Sequence, residues 1–177
     1  GDSAAMVVLG HESTMSITHK EMLRLVKSVV RANEQSENQL PIIADMVWGS
    51  YHVSIEKTIE SAIELIHAGA HAIKIEGGTK RIEIIKALVD AEIPVVGHIG
   101  LTPQSILALG KYGVAGKDFE QAKDILKDAH SVANAGVSML VVECVPDGLS
   151  RTITEEVNVP VIGIGAGRHV DGQVLVI

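Results

Sequence analysis

Short aliphatic runs alternate along the chain with longer segments whose apolar residues recur every three to four positions. That alternation predicts successive βα units, with parallel strands buried beneath crossover helices. The first clear helix has Thr18 as N-cap and Glu21 three residues on, a capping box, with Met22, Leu25, Val26, Val29 and Val30 forming its apolar face. The polar loop 33–38 leads to a strand over Leu40–Asp45, and a helix from Ser54 sets Ile55, Ile59, Ala62, Ile63 and Ile66 on one side until Gly69 ends it. Strand Ala72–Glu76, helix Thr79–Ala91 and strand Pro94–Gly100 follow. Thr102-Pro103 then supplies an N-cap and a first-turn proline. A Gly-rich connection, Gly110–Gly116, precedes a helix over Asp118–Asn134. After it come strand Ser138–Val145, a short helix Leu149–Glu156 and strand Val159–Gly165, and Gln173–Ile177 starts another strand. Five strands and a sixth begun suit either a doubly wound sheet or part of a (β/α)8 barrel.

Composition narrows the class. The 177 residues are 46% hydrophobic but only 2% aromatic, so the apolar mass is aliphatic, as in parallel strands covered on both faces. A net charge of −7 argues against a nucleic-acid partner held through phosphates. No apolar run approaches the ~18 residues of a membrane span, and no leader pattern opens the sequence. The single cysteine, Cys144, fits a reducing, cytoplasmic setting and reads as an inert residue facing the helix layer.

The polar residues inside these aliphatic strands carry the chemistry. Asp45, Lys74 with Glu76, His98 and Glu143 stand at the C-terminal ends of four successive strands, where active sites of both candidate folds lie. Lys74 and Glu76, two apart, share one face, with Ile73 and Ile75 on the other; Glu143 likewise sides with Val141 and Val145. Asp45 and Glu76, joined by Asp2, offer hard oxygen ligands suited to Mg2+. Equally, Asp45 could cap a turn and Glu76 pair with Lys74. Glu143 is a lone acid in an aliphatic strand, a setting that tunes a carboxylate toward a general base. The Gly163-x-Gly165-x-Gly167 run lacks the downstream acid of a dinucleotide site and reads as a tight turn or as backbone room beside a ligand. His67 and His71 are four apart, but Gly69 separates them, so they are not read as a metal pair.

Taken together, several motifs resemble those of the ketopantoate hydroxymethyltransferase family. They are Gly1-Asp2-Ser3, Gly10-His11-Glu-Ser-Thr14, Lys74-Ile-Glu76-Gly-Gly78, Gly97-His98-Ile-Gly-Leu-Thr-Pro-Gln-Ser105, Glu143-Cys-Val-Pro146, and Ile162-Gly-Ile-Gly-Ala-Gly167 with Asp171-Gly-Gln173. The resemblance runs in order along essentially the whole chain. It implies a (β/α)8 TIM barrel of the phosphoenolpyruvate/pyruvate type, seen here as one catalytic domain over residues 1–177 that runs from the end of strand 2 into strand 8. It also implies transfer of a hydroxymethyl group from 5,10-methylenetetrahydrofolate to 3-methyl-2-oxobutanoate, giving 2-dehydropantoate through a Mg2+-stabilised enolate. By resemblance, Asp2, Asp45 and Glu76 form the Mg2+ site, Asp2, Ser3, Asp45 and Lys74 hold the 2-oxo acid, and Glu143 accepts the proton. His98 stands at the same rim, assigned to substrate or supporting contact. A homo-oligomer, typically a decamer, is implied as well. The chain departs from the family pattern at Met46-Val47-Trp48, at Leu25 and at Tyr112–Gly116. Two other readings remain open: a Mg2+-dependent 2-oxo acid lyase or mutase on the same barrel that needs no folate, and a divergent barrel without turnover.

Overall fold

The computed structural model describes residues 1–176. Six parallel strands form one sheet: β1 (Ile43–Asp45), β2 (Ala72–Glu76), β3 (Val95–Gly100), β4 (Met139–Glu143), β5 (Val161–Ile164) and β6 (Gly172–Gln173). Each strand pairs with the next in the chain, in the order β1-β2-β3-β4-β5-β6. That order decides between the two candidate folds. A doubly wound sheet reverses its strand order at a switch point, whereas a barrel adds strands in one direction. The sheet is therefore the curled parallel wall of a (β/α) barrel, incomplete over these residues.

The helices are α1 (Ala4–Val7), α2 (His19–Glu34), α3 (Ile55–His67), α4 (Ile82–Asp90), α5 (Ile106–Leu109), α6 (Phe119–Asn134) and α7 (Asp147–Glu156). The Thr18/Glu21 capping box starts α2 as expected, and Ser54 and Asp118 cap α3 and α6 through side-chain oxygens. The core lies between helices and sheet. Ile73 and Ile75 of β2, Leu65 of α3, Ile85 and Leu88 of α4 and Leu140 of β4 are all 0% exposed. Burying one such side chain contributes on the order of 2 kcal/mol, so a handful of aliphatic contacts per βα unit anchors the wall.

Several elements differ from the sequence expectation, for local reasons. The first strand is only Ile43–Asp45. Pro41 lacks a ladder donor, and Leu40 is held outside the sheet by the Asn33 side chain, which bonds both its N–H and its carbonyl (2.9 Å each). The Thr79–Ala91 helix begins as a 3-10 turn over Thr79–Arg81. Thr102 makes no side-chain cap; Pro103 opens a 3-10 turn, Pro103–Ser105, that runs into α5. The helix expected from Leu149 starts two residues earlier, at Asp147. Within the expected final strand, Gln173 closes β6, and the Val174 N–H still donates to the Gly163 carbonyl of β5 at 3.0 Å. Residues 174–176 are not part of the strand, and Ile177 lies outside the described residues.

Cys144 does not face the helix layer as expected. Its φ of +48° ends β4 at Glu143 and breaks the alternation, so Val145 turns into the core while the sulfur is only half-buried beside Gly165. Burial raises the Cys144 thiol above its ordinary pKa, so the thiolate is disfavoured there. His71 serves the fold, because its Nδ1 accepts the Ile42 N–H at 2.9 Å. Among the described residues, no helix is long and apolar enough to cross a membrane.

Candidate active site

The strand register assembles the site. Asp45 is level with Lys74, Glu76 with His98, and Gly100 with Glu143, so their side chains meet at the C-terminal end of the sheet. Lys74 Nζ lies 3.3 Å from Asp45 Oδ1, 4.0 Å from Glu76 Oε1 and 3.4 Å from His98 Nδ1. Gly1–Ser3 lies against the end of β1, where the Asp2 N–H donates to Asp45 Oδ2 at 2.8 Å. Ser3 begins α1 without a side-chain cap. Every residue expected from the sequence is in this cluster or at its edge.

Glu143 is not isolated. His98, 2% exposed, sits between it and Glu76, with Nε2 3.1 Å from Glu143 Oε2 and Nδ1 3.5 Å from Glu76 Oε1. Neither ring nitrogen is aimed squarely along its carboxylate contact, so these are close ion-pair distances rather than aligned hydrogen bonds. The Lys74 ammonium can only donate. In the neutral ring, Nδ1 is therefore the acceptor, and the proton sits on Nε2, facing Glu143.

The electrostatics are those of three acids around one cation. Burial, then the carboxylates of Asp45 and Glu76, outweigh Lys74 and Gln104 to push Asp2 up to about 6. At Asp45, burial acts upward but the Lys74 ammonium prevails and holds the carboxyl well below its usual range. Burial alone would lower Lys74, yet Asp45, Glu76 and Asp2 hold it above its ordinary value, so it stays charged. Burial and Lys74 oppose charge on His98, but its contacts with Glu143 and Glu76 raise it overall.

These residues fit a divalent cation. Glu76 Oε1 is buried without an aligned hydrogen bond, and the acids outnumber the ammonium. Among the described residues, no three acidic, His or Cys side chains close into a ready cage. Mg2+ suits such an open set, because it is commonly held by one or two carboxylates, with water and substrate oxygens completing the shell.

Two residues escaped the sequence reading. Gln104 donates from Nε2 to Asp2 Oδ2 (2.8 Å) and to the Met46 carbonyl (2.9 Å), while its backbone N–H bonds Glu76 Oε2 (2.9 Å). The Tyr51 hydroxyl donates to Gln104 Oε1 at 2.6 Å and accepts the Glu76 N–H at 3.3 Å. Burial, then the Glu76 carboxylate, raises the Tyr51 phenol well above its usual value, so it stays neutral. Gln104 lies within the Gly97–Ser105 motif, and that position was its one visible signal. The departure at Met46 leaves this network intact, since Met46 takes part through its backbone.

A parallel sheet in sequential strand order, with acids, a lysine and a histidine gathered at its C-terminal ends, places the chain among the (β/α) barrels and the cluster where such barrels carry their active sites. Solved structures share the fold. One is 2,3-dimethylmalate lyase, a PEP mutase/isocitrate lyase superfamily member, with TM-score 0.63 and 14% identity over 99% of this chain and 59% of that one. Another is phosphonopyruvate hydrolase in complex with oxalate and Mg2+, with TM-score 0.64 and 14% identity over 93% of this chain and 58% of that one. More specifically, the chain belongs to the ketopantoate hydroxymethyltransferase family, which it matches over residues 1–177. It is 52% identical over 177 residues to 3-methyl-2-oxobutanoate hydroxymethyltransferase of Thermoanaerobacter sp. (strain X514), covering 99% of this chain and 63% of that protein's length.

Proposed function

We propose that the protein transfers a hydroxymethyl group from 5,10-methylenetetrahydrofolate to 3-methyl-2-oxobutanoate, giving 2-dehydropantoate for pantothenate synthesis. Family membership supports the reaction. The observation that carries its assignment to this site is the cluster of Asp2, Asp45 and Glu76 around Lys74, with Glu143 reached across His98. A 2-oxo acid is an anion with two adjacent oxygen donors, suited to the Lys74 ammonium and to a divalent cation held by the acids at the C-terminal end of the sheet. Asp2, Asp45 and Glu76 would hold Mg2+, which, when bound, supplies positive charge to the substrate's carboxylate and keto oxygens.

The chain's own groups carry the remaining steps. Ser3, at the edge, adds a hydroxyl contact to the 2-oxo acid, and the Lys74 ammonium offsets negative charge as it builds on the keto oxygen. Glu143 takes the C3 proton, leaving the C–H electron pair in the enolate, while His98 orients the carboxylate through Nε2. The methylene carbon of the folate is held by two carbon–nitrogen bonds, and water adds to it as both break in turn. The two water protons pass to the nitrogens, and tetrahydrofolate leaves the one-carbon unit as a carbonyl at the formaldehyde level. Enolate C3 then bonds that carbon, the C=O π pair moves onto its oxygen, and that oxygen takes the proton held by Glu143 to become the hydroxyl. The cytoplasmic location, the homo-oligomer and the assignment of residues 1–177 to one catalytic barrel domain belong to the same proposal.

The test is product formation by the intact protein, with and without the folate donor. Formation of 2-dehydropantoate that requires both 5,10-methylenetetrahydrofolate and Mg2+ is expected. Cleavage or rearrangement of a 2-oxo acid without folate would replace this reading with a lyase or mutase.

A further inference from the structure

We propose that Gln104 is a positioning residue that sets which carboxylate oxygens of Asp2 and Glu76 face the metal, with Tyr51 fixing the orientation of its amide. The inference rests on the Mg2+ reading of the site and deepens it. Gln104 is 4% exposed, and its polar groups are occupied by distinct partners. Both bonds from Nε2 go to acceptors, Asp2 Oδ2 and the Met46 carbonyl, while Oε1 receives the Tyr51 hydroxyl. A flipped amide would set its oxygen against two acceptors, so only one orientation is satisfied.

The consequence for the acids is specific. Gln104 ties up one oxygen of each: Oδ2 of Asp2 through its side chain and Oε2 of Glu76 through its backbone N–H. Asp2 Oδ1, with no hydrogen bond among the described residues, and the buried, unbonded Glu76 Oε1 are what remain for a cation. Asp2 precedes α1, Glu76 ends β2, and Gln104 follows β3, so a single side chain and its backbone align acids delivered by separate parts of the wall. Tyr51 doubles the restraint, because the hydroxyl that meets Gln104 also accepts the Glu76 N–H. Removing a residue that orients metal ligands in this way typically costs about 10- to 100-fold in metal affinity.

The experiment is calorimetric titration of the intact protein with Mg2+ alone, for the wild type, Gln104→Met and Tyr51→Phe, with melting followed separately. Gln104→Met keeps the side-chain length and the backbone bond to Glu76 but removes every side-chain donor. It is expected to weaken Mg2+ binding roughly 10- to 100-fold in folded protein. Tyr51→Phe keeps the ring and is expected to weaken binding roughly threefold. A residue that only supported the fold would lower the melting temperature and leave Mg2+ affinity unchanged. Wild-type binding with Gln104→Met within about twofold of it would overturn the inference and leave the metal site standing. If Gln104→Met does not fold, Tyr51→Phe decides: weaker binding supports the inference and wild-type affinity overturns it. A wild type that takes up no Mg2+ would overturn the site reading itself, and the inference with it.

Discussion

Replacing Asp2 with asparagine should stabilise the metal-free protein, and only above the pH at which Asp2 ionises. Asp2 is 5% exposed, and burial with the carboxylates of Asp45 and Glu76 lifts its pKa from 3.8 to about 6. A carboxyl raised in the native state ionises first in the unfolded chain. The native state therefore holds the extra proton between about pH 4 and pH 6, and unfolding free energy falls as pH rises through that window. Roughly two pKa units at about 1.4 kcal/mol each give a cost of about 3 kcal/mol, complete above about pH 6. The amide introduced by Asp2→Asn is neutral at every pH and can still accept the Gln104 N–H. In excess chelator, urea unfolding should give equal stabilities at or below about pH 4 and an advantage near 3 kcal/mol for Asp2→Asn at about pH 8. The Asp45 and His98 shifts are common to both proteins and largely cancel in this difference: Asp45 acts below its ordinary 3.8, and His98, favoured protonated, acts above 6.5. A difference that does not vary with pH, or a less stable Asp2→Asn at high pH, would refute the account of three crowded acids. Restoring Mg2+ should stabilise the wild type and not the variant.

Two further outcomes follow from the same geometry. Glu76→Ala removes the acid with a buried, unbonded oxygen and should abolish calorimetric Mg2+ binding; unchanged affinity would remove Glu76 from the ligand set. Gly100 has φ +90°, and a Cβ there would collide with the Glu143 carbonyl and Val145. Gly100→Ala should therefore cost about 1–3 kcal/mol in denaturant unfolding and depress turnover by displacing Glu143, whereas wild-type stability would show that the backbone yields freely there.

Much of the site was legible because parallel strands buried on both faces tolerate few charges. Asp45, Lys74, Glu76, His98 and Glu143 stood out against their aliphatic neighbours, and two-residue spacing put Lys74 and Glu76 on one face. The choice between barrel and doubly wound sheet was not legible from periodicity. It depends on strand order, which no local pattern encodes; the family resemblance pointed to the barrel, and the β1-to-β6 order confirms it. Cys144 misled because the alternation ran smoothly through it, while the sign of its φ is set by the turn that follows. Gln104 and Tyr51 stayed hidden for a different reason. Gln104 reaches Asp2, 102 residues away, and Tyr51, 53 away, and such hydrogen bonds exist only once three strands are in register. Glu143 looked isolated for the same reason, its His98 partner lying on the neighbouring strand.

The central claim is that Glu143, backed by His98, removes the C3 proton of a 2-oxo acid held at the Asp2–Asp45–Glu76–Lys74 cluster. Proton NMR of 3-methyl-2-oxobutanoate in D2O, with Mg2+ and the intact protein, reads that step directly. The wild type should exchange the C3 proton for deuterium, and Glu143→Gln should slow exchange by roughly 100-fold or more while still binding Mg2+ and the 2-oxo acid. Exchange by Glu143→Gln at the wild-type rate would contradict it.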